Sequence, residues 1–251
     1  MNTLPKIHAT TAQFPGLSWR LACKKVHEGF LEPFWGKIST DHVQICPQTS
    51  ATVDTAAAEF LMEKYPQTKW RLHANARVLP QHFIYDASTV SQDTLFYFKE
   101  LFARQKTFGS RIMSIHAGYR KNCSEKDFWK NVDILRNLAA LYDTEVAIEG
   151  LYPSEKAPQW IDTWSGYEDI LKKEIPFALD LSHLKIVAKK EGWKKDLAEE
   201  MVSSPFCREI HVSENDGLRD RHEKIKNPPK WLDCLVRAHP SSVVFSEGRI
   251  I

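Results

Sequence analysis

Hydrophobic residues recur along this chain in two alternating patterns. Short continuous apolar runs are typical of parallel strands that are buried on both faces of a sheet. Longer stretches, in which apolar residues recur every three or four positions, are typical of helices with one buried face. The apolar runs predict eight strands, at 6–10, 42–46, 70–74, 111–116, 145–149, 177–181, 209–213 and 243–247.

The clearest predicted helix covers 125–141, where Phe128, Val132 and Leu135 recur at helical spacing. Ser124 is suited to cap its first turn, since a serine oxygen accepts a hydrogen bond from a free backbone N–H there. A second helix is predicted between Asp54 and Pro66. Helical segments are also predicted at 17–31, 92–106, 163–173, 190–203 and 229–238.

Eight strands that alternate with seven helical segments predict an α/β fold, a single (β/α)8 TIM barrel that spans residues 1–251 as one domain. The chain continues for only four residues after Glu247. The last helix of the barrel is therefore expected to be short or missing, or replaced by the segment 17–31. The longest irregular loops are predicted at 150–162 and 214–229, over the active face, where they could form a lid.

The balance of charged residues indicates which class of molecule the protein binds. With 34 basic and 32 acidic residues, the formal net charge is +2, without the basic excess that nucleic-acid-binding proteins usually show. A small-molecule substrate is therefore predicted, and a nucleic acid is possible but not favoured.

The five cysteines are widely spaced and form no C-x-x-C pair, so they are predicted to be reduced, buried thiols.

Apolar runs also bear on location. None approaches the ~20 residues of a membrane-spanning helix, and the start of the chain lacks the features of a signal peptide. A cytoplasmic protein without a membrane partner is expected, and its oligomeric state is left open.

Candidate chemistry is concentrated where the apolar runs end. Barrel enzymes carry their active sites at the C-terminal ends of the strands. Nine histidines and acids lie at or just beyond these ends, and all are of the types that bind metals. They are His73, His116, Glu149, Asp180, His183, His211, Asp220, His222 and Glu247.

Three of these acids, Glu149, Asp180 and Glu247, converge on the barrel axis. Such carboxylates repel one another in a low-dielectric site unless they are protonated or neutralised by a cation. A divalent ion with His211 as a further ligand solves this problem, and Glu149 could bridge to a second ion.

The full set would fit two or three divalent metal ions. The group formed by His183, Asp220 and His222 could hold one of them, or could contact substrate instead.

Three arginines follow strand ends closely and are predicted to bind an anionic part of the substrate: Arg77, Arg120 and Arg219. Guanidinium groups bind phosphate or carboxylate through paired hydrogen bonds. The alternative is that they only neutralise a carboxylate-rich mouth. Four aromatic residues could either wall the pocket or pack between barrel and helices: Tyr119, Tyr152, Trp160 and Trp164.

The strings D-L-S-H at 180–183, H-V-S-E-N-D-G at 211–217 and D-R-H at 220–222 resemble those of the xylose isomerase-like and endonuclease IV-like TIM barrels. The resemblance to endonuclease IV implies three zinc ions. They would be held by His73, His116 and Glu149; by Glu149, Asp180, His211 and Glu247; and by His183, Asp220 and His222. The resemblance to the sugar isomerases and epimerases implies one Mn, Mg or Co ion, held mainly by the second of these sets.

Three functions are consistent with this resemblance. The first is a metal-dependent isomerase or epimerase of a small anionic sugar-like substrate, in which Glu149 and Glu247 exchange the proton as catalytic base and acid and His183 contacts a hydroxyl. The second is a multinuclear zinc phosphoester hydrolase. The third is a multinuclear iron oxidase that modifies a peptide or a small thiol compound.

Departures from the family patterns favour the first function. The segment E-K-I-K-N-P-P-K-W at 223–231 stands where a Gly-Glu-Gly is common in the superfamily, and Gly150 stands where endonuclease IV commonly has Asn. Both differences argue against DNA repair. His183 argues against the iron oxidases, which usually have Asn at its position.

Overall fold

Eight parallel strands form a nearly closed barrel in a computed structural model that describes residues 3–250. In chain order they are β1 (Ile7–Thr10), β2 (Ser39–Ile45), β3 (Lys69–Leu72), β4 (Ile112–His116), β5 (Glu145–Glu149), β6 (Phe177–Asp180), β7 (Cys207–Val212) and β8 (Val243–Ser246). Each strand lies beside the next one in the chain, and β8 pairs with β1. Strand β3 lies against β4 and brings the two ends of the sheet together. The predicted (β/α)8 fold and all eight predicted strands are confirmed.

Helices surround the barrel. They are α1 (Trp19–Glu28), α2 (Thr55–Lys64), α3 (Gln92–Thr107), α4 (Glu125–Ala140), α5 (Trp164–Lys172), α6 (Leu181–Glu191), α7 (Lys195–Ser203) and α8 (Leu232–Leu235). Six of them begin at a side-chain cap, in which an oxygen accepts a hydrogen bond from the first turn. The predicted cap Ser124 is one of these, since its Oγ accepts from Asp127 N.

Two helix predictions were wrong in their bounds. The predicted helix 190–203 crosses Gly192, whose φ of +82° ends α6, and a separate helix α7 follows. Helix α6 itself begins at Leu181, directly after β6 and well before the predicted bound at 190. The predicted helix 229–238 contains only the short α8.

The C-terminal ends of the strands open into long connections. The predicted loop 150–162 is confirmed as irregular, and the loop after β7 extends beyond the predicted 214–229 to 231. A third irregular segment, 73–91 after β3, is longer than the loop after β5, so the prediction that 150–162 and 214–229 are the two longest loops was wrong. Strand β8 is the last regular element in residues 3–250.

The cysteines agree with the sequence-based prediction with one exception. All five cysteines are free thiols, and all except Cys123 are buried. In the described range 3–250, no helix is both long enough and apolar enough to cross a lipid bilayer.

A small hairpin of Leu31–Glu32 and Gly36–Lys37 was not predicted. It carries Glu32, which is 2% exposed and accepts hydrogen bonds from Gln13 and, at 2.6 Å, from Ser246 Oγ. Burial raises the pKa of Glu32 to about 7, although these two hydrogen bonds act to lower it. The hairpin is thus anchored beside the end of β8 by a carboxyl group that holds a proton at mildly acidic pH.

Glu32→Gln is expected to change how stability depends on pH. Between about pH 4.5 and 7 the folded protein binds a proton at Glu32 that the unfolded chain does not. The free energy of unfolding of the native protein therefore falls as pH rises through this window. Glutamine removes this loss, and above pH 7 the variant should be more stable than the native protein by about 2–3 kcal/mol. Urea unfolding at pH 5 and pH 8 measures the difference. The exposed control Glu28→Gln should show no such pH-dependent gain, and parallel pH curves for Glu32→Gln and native protein would contradict the assignment.

Candidate metal centre

Strand register brings the candidate ligands to one level of the barrel. His116 at the end of β4 is aligned with Glu149 at the end of β5, and Asp180 at the end of β6 is aligned with His211 in β7. Because neighbouring parallel strands end at the same edge, residues far apart in sequence become neighbours around the axis.

Glu149 lies at the centre of the first half of the cluster. Its Oε2 lies 3.0 Å from His73 Nε2 and 3.7 Å from His116 Nε2, and its Oε1 lies 3.5 Å from His211 Nδ1. Three imidazoles therefore surround one carboxylate that is 2% exposed.

Glu247 continues the cluster on the other side of His211. Its Oε1 lies 3.9 Å from His211 Nδ1, and its Oε2 lies 3.3 Å from His222 Nδ1. The Nδ1 atom of His211 therefore faces two carboxylates, Glu149 and Glu247, at once.

The third group adjoins both. Asp220 Oδ2 lies 2.9 Å from His222 Nε2 and 3.5 Å from His183 Nε2, and His183 Nε2 lies 3.4 Å from Asp180 Oδ2. All nine predicted positions thus belong to one continuous cluster. Three subsets have ligand atoms within 4.8 Å of one another: His73, His211 and Glu247; His73, His116 and Glu149; and Glu149, Asp180 and His183.

Several polar atoms of this cluster are buried without a hydrogen-bond partner among residues 3–250. They are both ring nitrogens of His211, Glu149 Oε2, Asp220 Oδ1 and His222 Nδ1. Buried polar groups almost always have partners, so such a concentration needs a cause. Divalent cations bound by the two oxygen atoms and the two Nδ1 atoms would satisfy these groups, and carboxylate with imidazole is a donor set that Zn, Mn and Fe accept. The residues therefore fit a divalent metal.

Electrostatics point in the same direction. Burial acts to raise the pKa of Glu149, but His73, His211 and His116 outweigh it and hold that pKa well below its usual value. The pKa of Glu247 is also lowered against the effect of burial, chiefly by His211 and His222.

The histidines of the third group show the complementary shift. Burial acts to lower the pKa of His183, but Asp180 and Asp220 raise it to about 10. Burial also acts to lower the pKa of His222, but Asp220 and Glu247 raise that pKa to about 11. Excess negative charge therefore attracts protons at this site, and metal binding would displace them.

Local backbone geometry fixes these side chains. His222 has a left-handed φ of +48°, which is uncommon for residues other than glycine and concentrates at functional sites. At Gly150, directly after Glu149, an added Cβ would lie 2.3 Å from the ring of Tyr167, so only glycine fits. The carbonyl oxygen of Gly150 in turn lies 3.1 Å from His183 Nδ1, which directs Nε2 of that ring into the cluster.

Comparisons with known proteins bear on the fold. No protein-family model matches the chain, and no curated protein matches it in sequence. Among solved structures, a D-tagatose 3-epimerase-like protein superposes with a TM-score of 0.73 at 15% identity, over 98% of this chain and 92% of that chain. The fold is that of the xylose isomerase-like barrels.

Other structures with this fold differ in activity. A 3-keto-D-glucoside 4-epimerase from E. coli superposes with a TM-score of 0.66 at 14% identity, over 98% of this chain and 92% of that chain. An AP endonuclease of family 2 from Brucella melitensis gives 0.61 at 16% identity, over 97% and 93%. The predicted resemblance is therefore confirmed for the fold, and the chemistry must be argued from this chain's own residues.

The cluster forms the floor of a cavity of about 220 Å³. Seven of the nine candidate ligands line it: His73, His116, Glu149, His183, Asp220, His222 and Glu247. Its walls are formed by Pro47, Gln48, Tyr119, Leu151, Tyr152 and Gln159. Of the four aromatic candidates, Tyr119 and Tyr152 thus wall the pocket. Trp160 stacks on Phe128 and Trp164 is fully buried, so these two pack between barrel and helices.

The three arginines predicted to bind substrate lie outside this cavity. None is among the described residues that line the cavity. Arg120 donates to the Gln159 carbonyl oxygen at 2.7 Å and pairs with Asp162 at 3.3 Å. Arg219 lines a neighbouring groove. The backbone carbonyl oxygen of Arg77 accepts a hydrogen bond from Val53 N, which joins the loops after β2 and β3.

A buried polar group beneath the centre was missed in the sequence. Glu209, fully buried on β7, lies 3.4 Å from His211 Nε2. Its other contacts are with Arg71 Nη1 and Gln44 Nε2, each at 2.8 Å. Because Glu209 faces Nε2, the Nδ1 atom of His211 is the one directed at Glu149 and Glu247. The only sequence signal was a charged residue two positions before His211, on the same face of the strand.

Proposed function

We propose that this protein is a divalent-metal-dependent isomerase or epimerase of a small sugar-like substrate. The observation that carries the proposal is the pair of carboxylates, Glu149 and Glu247, on either side of His211 Nδ1 at the floor of a small cavity. Epimerases are among the solved proteins with this fold, which supports an enzyme of this class.

Each carboxylate has a role in proton transfer. Glu149 removes a proton from the carbon next to a substrate carbonyl, and Glu247, which takes up a proton from solvent for this step, returns it from the other side, so that the two act as base and acid. Glu149, Asp180, His211 and Glu247 would hold the ion. When bound, a divalent ion stabilises negative charge on adjacent substrate oxygens. His183, directed into the cavity through its contact with Gly150, donates to a substrate hydroxyl.

The cavity limits the substrate to a small molecule. Its volume of about 220 Å³ is below the ~300–1,000 Å³ of sites for drug-sized ligands. Tyr119, Tyr152 and Leu151 give it apolar walls above a polar floor, an arrangement that suits a sugar, which has apolar ring faces and polar edges.

Solvent deuterium exchange tests the proposal. The Mn²⁺-loaded protein is incubated in D₂O with ketopentoses and ketohexoses, free and phosphorylated, and the products are analysed by NMR. We expect deuterium at the carbon next to the carbonyl together with the epimer or isomer, and at least roughly a hundredfold loss of exchange in Glu247→Gln. Hydrolysis of a phosphodiester such as bis(p-nitrophenyl) phosphate, without any exchange, would contradict it.

A second candidate, the multinuclear zinc phosphoester hydrolase, is favoured by one observation: His183, Asp220 and His222 complete a possible third ligand group beside Asp180. Metal content separates the candidates. The isomerase requires one Mn, Mg or Co ion, whereas the hydrolase requires about three Zn ions and the iron oxidase two to three Fe ions.

A further inference from the structure

A second groove, of about 620 Å³, adjoins the cavity on the same face of the barrel. Tyr152 belongs to both, and its ring centroid lies 5.0 Å from that of His183. The groove lies between the loop after β5, helix α6 and the loop after β7. These elements follow the three strands that carry Glu149, Asp180 and His211, so the groove extends the same site outward.

Positive charge dominates this groove. Four cations line it, Lys156, Lys189, Lys190 and Arg219, against one acid, Glu155. Within residues 3–250 none of the four forms an ion pair, whereas the neighbouring Lys185 pairs with Glu214 and Arg221 with Asp216. In a chain with a net charge of only +2, such a local excess is a specific feature.

The walls of the groove are held together. Lys185, one turn before Lys189 on α6, donates to Glu214 and, at 2.6 Å, to the Asn215 carbonyl oxygen. The side chain of Lys189 lies against Gly217, where an added Cβ would stand 3.7 Å from its Cβ, Cγ and Cδ atoms. The loop that carries Asp220 is thereby fastened to the helix that carries the lysines.

We propose that this groove binds the phosphate or carboxylate group of the substrate whose reacting end lies in the cavity. The inference rests on the proposed function and deepens it by assigning the anionic end of the substrate to Lys156, Lys189, Lys190 and Arg219. Ammonium and guanidinium groups bind such anions by charge-assisted hydrogen bonds. Tyr152 forms the wall between the two ends.

Phosphate binding to metal-free protein tests the groove independently of the chemistry. Inorganic phosphate is titrated calorimetrically into EDTA-treated protein at low salt, where such contacts are least screened. We expect saturable binding at one site. Lys189→Met/Lys190→Met should weaken it at least tenfold, because methionine keeps the apolar stem and removes the charge. The control Lys24→Met/Lys25→Met on α1 removes two adjacent exposed lysines and should bind phosphate like the native protein.

Absence of saturable binding, or equal binding by the native protein and Lys189→Met/Lys190→Met, would overturn the proposal whatever the enzyme's reaction. A second arm distinguishes a substrate group from a free anion. With Mn²⁺ bound, D-fructose 6-phosphate should bind at least tenfold more tightly than either D-fructose or inorganic phosphate, and only in protein that retains both lysines. Equal affinities for D-fructose 6-phosphate and phosphate would show a site for a separate anion and would contradict the assignment to substrate.

Discussion

A Glu149→Gln variant is expected to lose most of its bound metal and roughly a thousandfold of its turnover while it keeps its fold. Glu149 is the carboxylate that three imidazoles surround, and it is also the proposed base. Base catalysis contributes roughly a hundredfold to ten-thousandfold to a rate, and loss of a ligand weakens metal binding further. Glutamine has nearly the same volume, so packing is preserved. Elemental analysis, the exchange assay and thermal unfolding measure the three effects.

The same strand supplies the control for this variant. Glu145 begins β5 at the opposite end of the barrel and pairs with Arg208 at the surface. Glu145→Gln should keep native metal content and turnover. It is the same substitution, but it lies at the end of β5 that is remote from the candidate metal centre. Native metal content in Glu149→Gln would show that the ligand assignment is wrong.

An Arg71→Met variant is expected to lose about 3–5 kcal/mol in free energy of unfolding, because it leaves Glu209 as an uncompensated buried charge. The pair is almost completely buried, at 5% and 0% side-chain exposure, and joins β3 to β7 across the barrel. Arg71→Met combined with Glu209→Gln should recover most of the loss, since the charge is removed as well. Urea unfolding of the single and double variants measures the coupling.

Glu209→Gln on its own should weaken metal binding by roughly 10–100-fold, because it removes the carboxylate beside His211 Nε2. Arg208→Met breaks a partly exposed pair with Glu145 and should cost no more than about 1 kcal/mol. An equally small cost for Arg71→Met would contradict the role given to the buried pair.

The strands could be predicted from sequence because strands buried on both faces leave continuous apolar runs. Helix α6 could not be placed in the same way, because the run F-A-L-D-L-S-H-L-K-I-V crosses the boundary between β6 and α6 without interruption. The change of direction is made at Asp180, whose Oδ1 accepts hydrogen bonds from Ser182 N and His183 N. One aspartate thus ends the strand, caps the helix and faces the centre.

The candidate site was predictable in its residue types and less so in its surroundings. Histidines and acids at strand ends indicate convergence because a barrel brings strand ends together. The partnership of Glu209 with Arg71 spans 138 positions and leaves no local pattern in the sequence. Arg120 was placed at the substrate by proximity to His116, yet its side chain contacts Gln159 and Asp162, which the chain supplies from the next loop.

The central claim is that Glu149, Asp180, His211 and Glu247 hold a divalent ion at the mouth of the barrel. Anomalous diffraction at the manganese edge, from crystals of the Mn²⁺-loaded protein, tests it most directly. We predict an anomalous peak within bonding distance of these four side chains. Data that show manganese elsewhere, or no peak between these side chains at saturating Mn²⁺, would contradict the claim.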